Sequence, residues 1–461
     1  MNRPADHALV EGPITRTLLL FALPMLGTNV LQSLNASINV MWVGRYLGEA
    51  AFAATANATL VLFFLLGLVL GIGIATTILV GQALGARDVD AARRIVGTGL
   101  SFFMTVSLVV SVAGYFATPA LLHAMGTPDD ARPYAIAYLR IIFLALPFMY
   151  LYTFLMMVLR GAGDSRTPFG FMIVSVVLDI ALNPLFIFGA GPVPSLGIAG
   201  SAVATLIAQG LSLGGLVAWM YARKHFLCLR AADARLLLPE PAILKALVLK
   251  GLPMGAQMLV ITSSAIIMMS LVNGHGSQTT AAYGAAVQLW NYIQMPAFAV
   301  GMAVSSMVAQ NVGAKRWDRV ATVGRVGILA SLGLTGVLVL VVYAFAGGAA
   351  AIFLGSDSTA LGIARHLNAV VVWSYLLFGV TFVLFGVVRA TGAVMMPLVA
   401  LAVSMWGVRY PFALLLEPSW GADAIWWSFP VSSVVSLGIA AVYYHSGRWR
   451  RATMMPASAA A

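Results

Sequence analysis

The chain has 461 residues, 61% of them hydrophobic and only 9% charged, with a formal net charge of +11. A soluble globular domain carries roughly 25% charged residues, so this composition excludes that class and points to a membrane. The basic residues fall in a topological pattern, described below, that accounts for the positive charge without nucleic acid as a partner.

In chain order, stretches with few charges and long enough to cross a hydrocarbon core of ~30 Å as a helix recur twice six times. The first six are expected near 17–44, 51–80, 95–120, 134–159, 168–190 and 196–221. A charged segment, 223–250, follows, with Pro239 and Pro241 on either side of Glu240. The second six are expected near 243–272, 281–309, 322–348, 367–388, 397–416 and 422–444. The period-2 alternation of a membrane barrel is missing, which leaves helices. The expected architecture is all-α and polytopic, with twelve transmembrane helices. An N-terminal six-helix bundle covers 1–222 and a cytoplasmic linker covers 223–250. A C-terminal six-helix bundle with a short cytoplasmic tail covers 243–461.

The halves repeat one another. Leu23-Pro24-Met25 recurs 229 positions later as Leu252-Pro253-Met254, and Arg160, Gly163 and Pro168 recur as Arg389, Gly392 and Pro397. Gln82 with Gly85-Ala86-Arg87 recurs as Gln310 with Gly313-Ala314-Lys315, one position out of step. Because each half has an even number of spans, both enter the membrane from the same side. A pseudo-two-fold axis along the membrane normal is the expected relation. With both termini cytoplasmic, 21 of the 26 basic residues lie inside, and Arg45, Arg132, Arg140, Arg365 and Arg409 are placed towards the outer face. That asymmetry satisfies the positive-inside rule. The single cysteine, Cys228, sits in the linker, so no intramolecular disulfide can form.

Ionisable groups inside a span are costly and mark function. Asp179 lies inside the fifth span, between Val176-Val177-Leu178 and Ile180-Ala181-Leu182, and Asn183 is one turn further on the same face. The first span offers Gln32, Asn35 and Asn39 as one stripe, and Asn57 stands near the start of the second. The second half has no acid inside any span. A proton or cation site therefore belongs to the first half; the blander alternative is that these amides are interhelical glue. Gln32, Asn57 and Tyr138 in the first half, with Met258, Gln288, Trp290 and Asn291 in the second, are the candidates for a pocket that takes flat amphiphiles. Lipid-facing packing is the alternative for each. Pro24, Pro184 and Pro253 interrupt helices and are candidate hinges.

Two six-helix halves with Leu-Pro near the start of each resemble the multidrug and toxic compound extrusion (MATE) transporters. The resemblance is carried by Val43-Gly44-Arg45-Tyr46-Leu47-Gly48, Gly81-Gln82 with Gly85-Ala86, and Leu159-Arg160-Gly161 with Gly163-Asp164. It extends through Gly197-Ile198-Ala199-Gly200, Ala202 and Ala204-Thr205, and covers about 14–445. The resemblance implies a V-shaped pair of bundles in a bacterial inner membrane that exports organic cations or other amphiphiles by antiport with H⁺ or Na⁺. It brings Thr205 into the candidate ion site beside Asp179, Asn183, Asn39 and Asn35. Amphiphilic small molecules and membrane lipid are the expected partners, the protein is expected to be a monomer, and no cofactor is implied.

The sequence departs from that family pattern. Many members have an Asp in the first span where this chain has Asn39, and one branch has Asn before Asp in the fifth span where the order here is Asp179 then Asn183-Pro184. Another branch has acids in the seventh and tenth spans, near positions occupied here by Ile261 and Phe378. Coupling is therefore expected to rest on one carboxylate. A flippase for a lipid-linked precursor, or a membrane receptor without net flux, remains the alternative. Gly161-Ala162-Gly163-Asp164 spells the G-x-G-D of intramembrane aspartyl proteases, but that chemistry needs two facing carboxylates. The second half has Ala390-Thr391-Gly392-Ala393 at the equivalent place. Metal-ligand and nucleophile-elbow patterns are also missing, so neither an enzyme nor a metal site is expected.

Overall fold

A computed structural model describes residues 8–46, 49–189, 194–345, 351 and 360–455, and every regular element among them is helical. After a helical turn, Ala8–Glu11, come α1 (Ile14–Tyr46), α2 (Glu49–Gly85), α3 (Val89–Ala124), α4 (Arg132–Gly161), α5 (Arg166–Phe188) and α6 (Ile198–Ala222). A 3₁₀ segment, Ala231–Leu237, leads to α7 (Pro241–Asn273), α8 (Ser277–Gly313) and α9 (Trp317–Ala344). The tenth span, α10, has two limbs, Ala360–Val371 and Ser374–Ala390, bent by 44°. The last spans are α11 (Met395–Trp420) and α12 (Ala422–His445). Eleven of these helices are long and apolar enough to cross a membrane, and the bent pair makes twelve. Leu47-Gly48 and the far ends of the fifth and ninth expected spans lie outside the described residues, as does the side chain of Asn57.

Two features differ from the sequence expectation. The tenth span starts earlier, at Ala360, and breaks after Val371. The middle of α11, Val403–Arg409, is wound as a π-helix. Hydropathy is summed along a window, so it registers neither a bend nor a change of winding.

The repeat is visible in the backbone. The corner after α2 puts Arg87 at φ 62° and the corner after α8 puts Lys315 at φ 58°. After α4, Gly163 has φ 91°, and after α10, Gly392 has φ 103°. Left-handed backbone favours glycine, which explains why that residue recurs at both places.

The described residues divide into two compact units, Gly27–Gly251, and His7–Leu26 with Leu252–Pro456. The division runs through α1 and α7, so the 223–250 segment belongs with the first unit rather than standing apart. Its anchor is α3: Arg93 pairs with Asp233 and donates to the Cys228 carbonyl at 3.0 Å. Ser101 donates to the Leu237 carbonyl at 2.5 Å, and the Glu240 amide donates to Thr98 Oγ1 at 3.2 Å.

Each unit is a helical bundle built on a central helix. In the first, α4 packs against α2, α3 and α6, and α5 packs against α6. In the second, α10 packs against α8, α9 and α12, and α11 packs against α12. Small residues allow these approaches. A Cβ on Gly161 of α4 would lie 2.6 Å from the Thr77 carbonyl of α2, and one on Gly386 of α10 would lie 2.5 Å from the Gly301 carbonyl of α8. A Cβ on Gly200 would come 2.2 Å from the Phe186 carbonyl, so α6 can begin only tightly against the end of α5.

Candidate cation-binding site

Three helices of the first unit deliver polar groups to one point. On α5, Asp179 and Asn183 are a turn apart and both buried, with exposures of 2% and 0%. On α1, Asn35 and Asn39 are likewise a turn apart. Asn35 Nδ2 donates to Asp179 Oδ2 at 2.9 Å and Asn39 Nδ2 donates to the same oxygen at 2.8 Å. From α6, Thr205 Oγ1 donates to Asp179 Oδ1 at 3.1 Å. Asn183 Nδ2 bridges Asn39 Oδ1 at 3.0 Å and its own helix at the Asp179 carbonyl, 2.8 Å away. One turn along α1 from Asn39, Trp42 meets Phe188 of α5 edge-on, with ring centroids 6.2 Å apart.

Local sequence explains why α5 can present these groups. Pro184 has no amide hydrogen, so the carbonyl of Ile180 is left without its helical donor. The polar turn thus sits where the helical ladder is already interrupted.

The balance of donors and acceptors decides what this cluster can do. Asp179 accepts three side-chain hydrogen bonds, yet among the described residues no Lys, Arg or His forms an ion pair with it. A buried carboxylate with no counter-charge is costly. Two acceptors nearby, Asn35 Oδ1 and Asn183 Oδ1, are buried without a hydrogen-bond partner. Carboxylate, amide carbonyl and hydroxyl oxygens are the donor set that hard cations prefer. A protonated Asp179 would likewise gain one donor. Tyr138 of α4 is half-buried and close enough for the charge of Asp179 to act on it.

The other candidates are scattered. Gln32 is exposed on α1. In the second unit, Met258 is half-buried, while Gln288 and Asn291 are exposed, Asn291 accepting from Gln294 at 3.0 Å. Trp290 has a different setting from the open pocket expected of it: it is 2% exposed and its Nε1 donates to Asn368 Oδ1 at 2.9 Å. Its ring packs on Tyr283, Tyr375 and Phe429 inside the apolar core of that unit. Pro24, Pro184 and Pro253 all lie within continuous helices. Arg409 closes the π segment of α11.

The family profile described as MatE matches the chain twice, over residues 24–185 and 253–415, once in each half. The chain belongs to the MatE family. It is 39% identical over 433 residues to the probable multidrug resistance protein YoeA of Bacillus subtilis (strain 168), covering 94% of this chain and 93% of that one. It is 33% identical to the probable multidrug resistance protein YpnP of the same organism, covering 96% and 98%. Among solved structures, an outward-facing multidrug resistance MATE family transporter of the MOP superfamily superposes with a TM-score of 0.88 at 19% identity, covering 97% and 98%. The fold of this MatE protein is accordingly two six-helix bundles in a multi-pass membrane protein.

Proposed function

We propose that this MatE protein is a secondary active exporter of amphiphilic, cationic compounds that works by alternating access and antiport with H⁺ or Na⁺. The names of its relatives support multidrug efflux as the broad activity. The observation that carries the coupling reading is Asp179: a buried carboxylate with three hydrogen bonds, no ion-pair partner among the described residues and two orphaned carbonyls beside it.

In the proposed cycle a proton or Na⁺ entering from outside neutralises Asp179, with Asn39, Asn35, Asn183 and Thr205 supplying the surrounding oxygens. Neutralisation removes the reason for both α1 amides to point their donors at Oδ2. That loosens the hold of α1 on α5, and Pro24, Pro184 and Pro253 are the places where the helices bend. The ion drives the change only through its different affinity for the two states. Gln32, Tyr138, Met258, Gln288 and Asn291 are the side chains assigned to substrate contact. The distribution of basic residues supports cytoplasmic termini.

The test is Asp179→Asn reconstituted into proteoliposomes, with dye efflux measured under an imposed ΔpH and, separately, an imposed ΔpNa. Loss of gradient-driven flux with normal membrane insertion is expected. Flux equal to that of the native protein under both gradients would reject the assignment.

A further inference from the structure

The second bundle sets arginines among its helices: Arg389 is 2% exposed and Arg409 is half-buried. Arg409 closes the π segment Val403–Arg409 of α11, and π-turns inside α-helices recur at functional sites. Eleven residues, roughly 16 Å at ~1.5 Å per residue, separate Arg409 from the Trp420 end of the helix. Its Nε donates to Ser432 Oγ at 2.9 Å, and its guanidinium lies 4.3 Å from the centroid of the Phe429 ring. Those contacts fix the plane of the group but leave Nη1 and Nη2 with no hydrogen bond among the described residues. No carboxylate there pairs with it either. Arg409 is only half-buried, so the two terminal nitrogens open on accessible space.

The surroundings are aromatic and hydroxylated. Tyr283 and Tyr375 lie within electrostatic reach of the guanidinium, and neither hydroxyl makes a hydrogen bond among the described residues. The rings of Tyr375 and Phe429 flank Trp290, with centroids 6.1 and 5.3 Å from it. A guanidinium inside a membrane span normally pairs with an acid or serves function. Among the described residues, no acid of the second bundle is in contact with this one.

We propose that Arg409 is a binding site for an oxyanion, a carboxylate or phosphate group carried by a flat aromatic compound that this protein transports. Two parallel N–H groups match the two oxygens of a carboxylate or phosphate. The half-buried Tyr375 supplies a further hydroxyl donor and the ring edge that a flat ligand would meet. This inference rests on the transporter reading for its biological sense, but the site itself is tested by binding alone.

The experiment compares three fluorescent probes on the purified full chain in nanodiscs: a coumarin carboxylate, its neutral ethyl ester, and methylumbelliferyl phosphate. The carboxylate, the phosphate or both should bind at least about tenfold more tightly than the ester, a difference of about 1.4 kcal/mol. The arm that binds identifies the oxyanion. Arg409→Gln should erase the preference. Arg409→Lys keeps the charge without the paired N–H groups, and should reduce the preference several-fold with unchanged thermal unfolding. An ester that binds the native protein as well as both anions overturns the proposal. So does a preference that survives in Arg409→Gln, or in Arg409→Lys should the glutamine variant not fold. A preference retained in a protein that no gradient drives would instead sink the transporter reading and leave the site standing.

Discussion

Asn39 holds Asp179 and Asn183 together: its amide donates to the carboxylate at 2.8 Å while its carbonyl accepts from Asn183 at 3.0 Å. One α1 side chain thus ties two successive turns of α5 to the first helix. The position where many family members carry a second acid is here a neutral bridge.

Replacing that bridge tests it directly. Two carboxylates in such contact cannot both be ionised, so Asn39→Asp should bring an extra proton into the site. Protons exchanged per substrate exported, measured with a pH dye in proteoliposomes, should rise above the native value. An unchanged ratio would show that position 39 is outside the coupling machinery.

Thr205 supplies the hydrogen bond to Asp179 Oδ1. A hydrogen bond to a charged group contributes ~1.5–3 kcal/mol, so Thr205→Val should lower gradient-driven efflux by roughly tenfold or more. Thr205→Ser keeps the hydroxyl and should restore most of the flux. Equal rates for the valine and serine variants would count against a role for this contact.

The Trp290–Asn368 pair is buried in the second unit, so its removal should register as stability. Trp290→Phe leaves Asn368 Oδ1 without a donor at a cost of about 1–3 kcal/mol. Trp290→Ala adds a cavity, for a total of about 3–5 kcal/mol. Thermal unfolding in detergent should rank native, Phe, Ala in falling order. A native-like melting curve for the alanine variant would contradict the packing described.

Gly200 sits where an added Cβ would come 2.2 Å from the Phe186 carbonyl. Backbone cannot step aside there as a flexible side chain can, so Gly200→Val should part α6 from α5 and leave little folded protein in the membrane. Gly170 has open space around its Cα, so Gly170→Ala serves as the tolerant control. Comparable yields of the two variants would refute the close approach.

Cys228 gives a pH-dependent readout in the linker. Burial pushes its thiol up from the ordinary value, outweighing the lowering by the His225 backbone and by the Arg93 and Arg230 charges. Only the thiolate is alkylated. A maleimide should therefore react more slowly than with free cysteine, whose pKa is ~8.5, and faster as pH rises past that value. Arg93→Ala removes a charge that lowers the thiol's pKa and should slow the reaction at neutral pH further, whereas a free-cysteine profile in the native protein would mean the linker is not packed there.

The twelve spans, the internal repeat and the pairing of Asp179 with Asn183 on one face are properties of the chain read in one dimension. Hydropathy adds up along a window and a helix has a fixed period, so both survive without knowledge of neighbours. The donors converging on Asp179 from α1 and α6, the sealing of Trp290 against Asn368, and the setting of Arg409 depend on how each helix is rotated and where it is wound differently. In a span with few polar residues, rotation is set by packing against other helices. Only the tertiary structure could therefore decide which amides meet the acid and what surrounds Arg409.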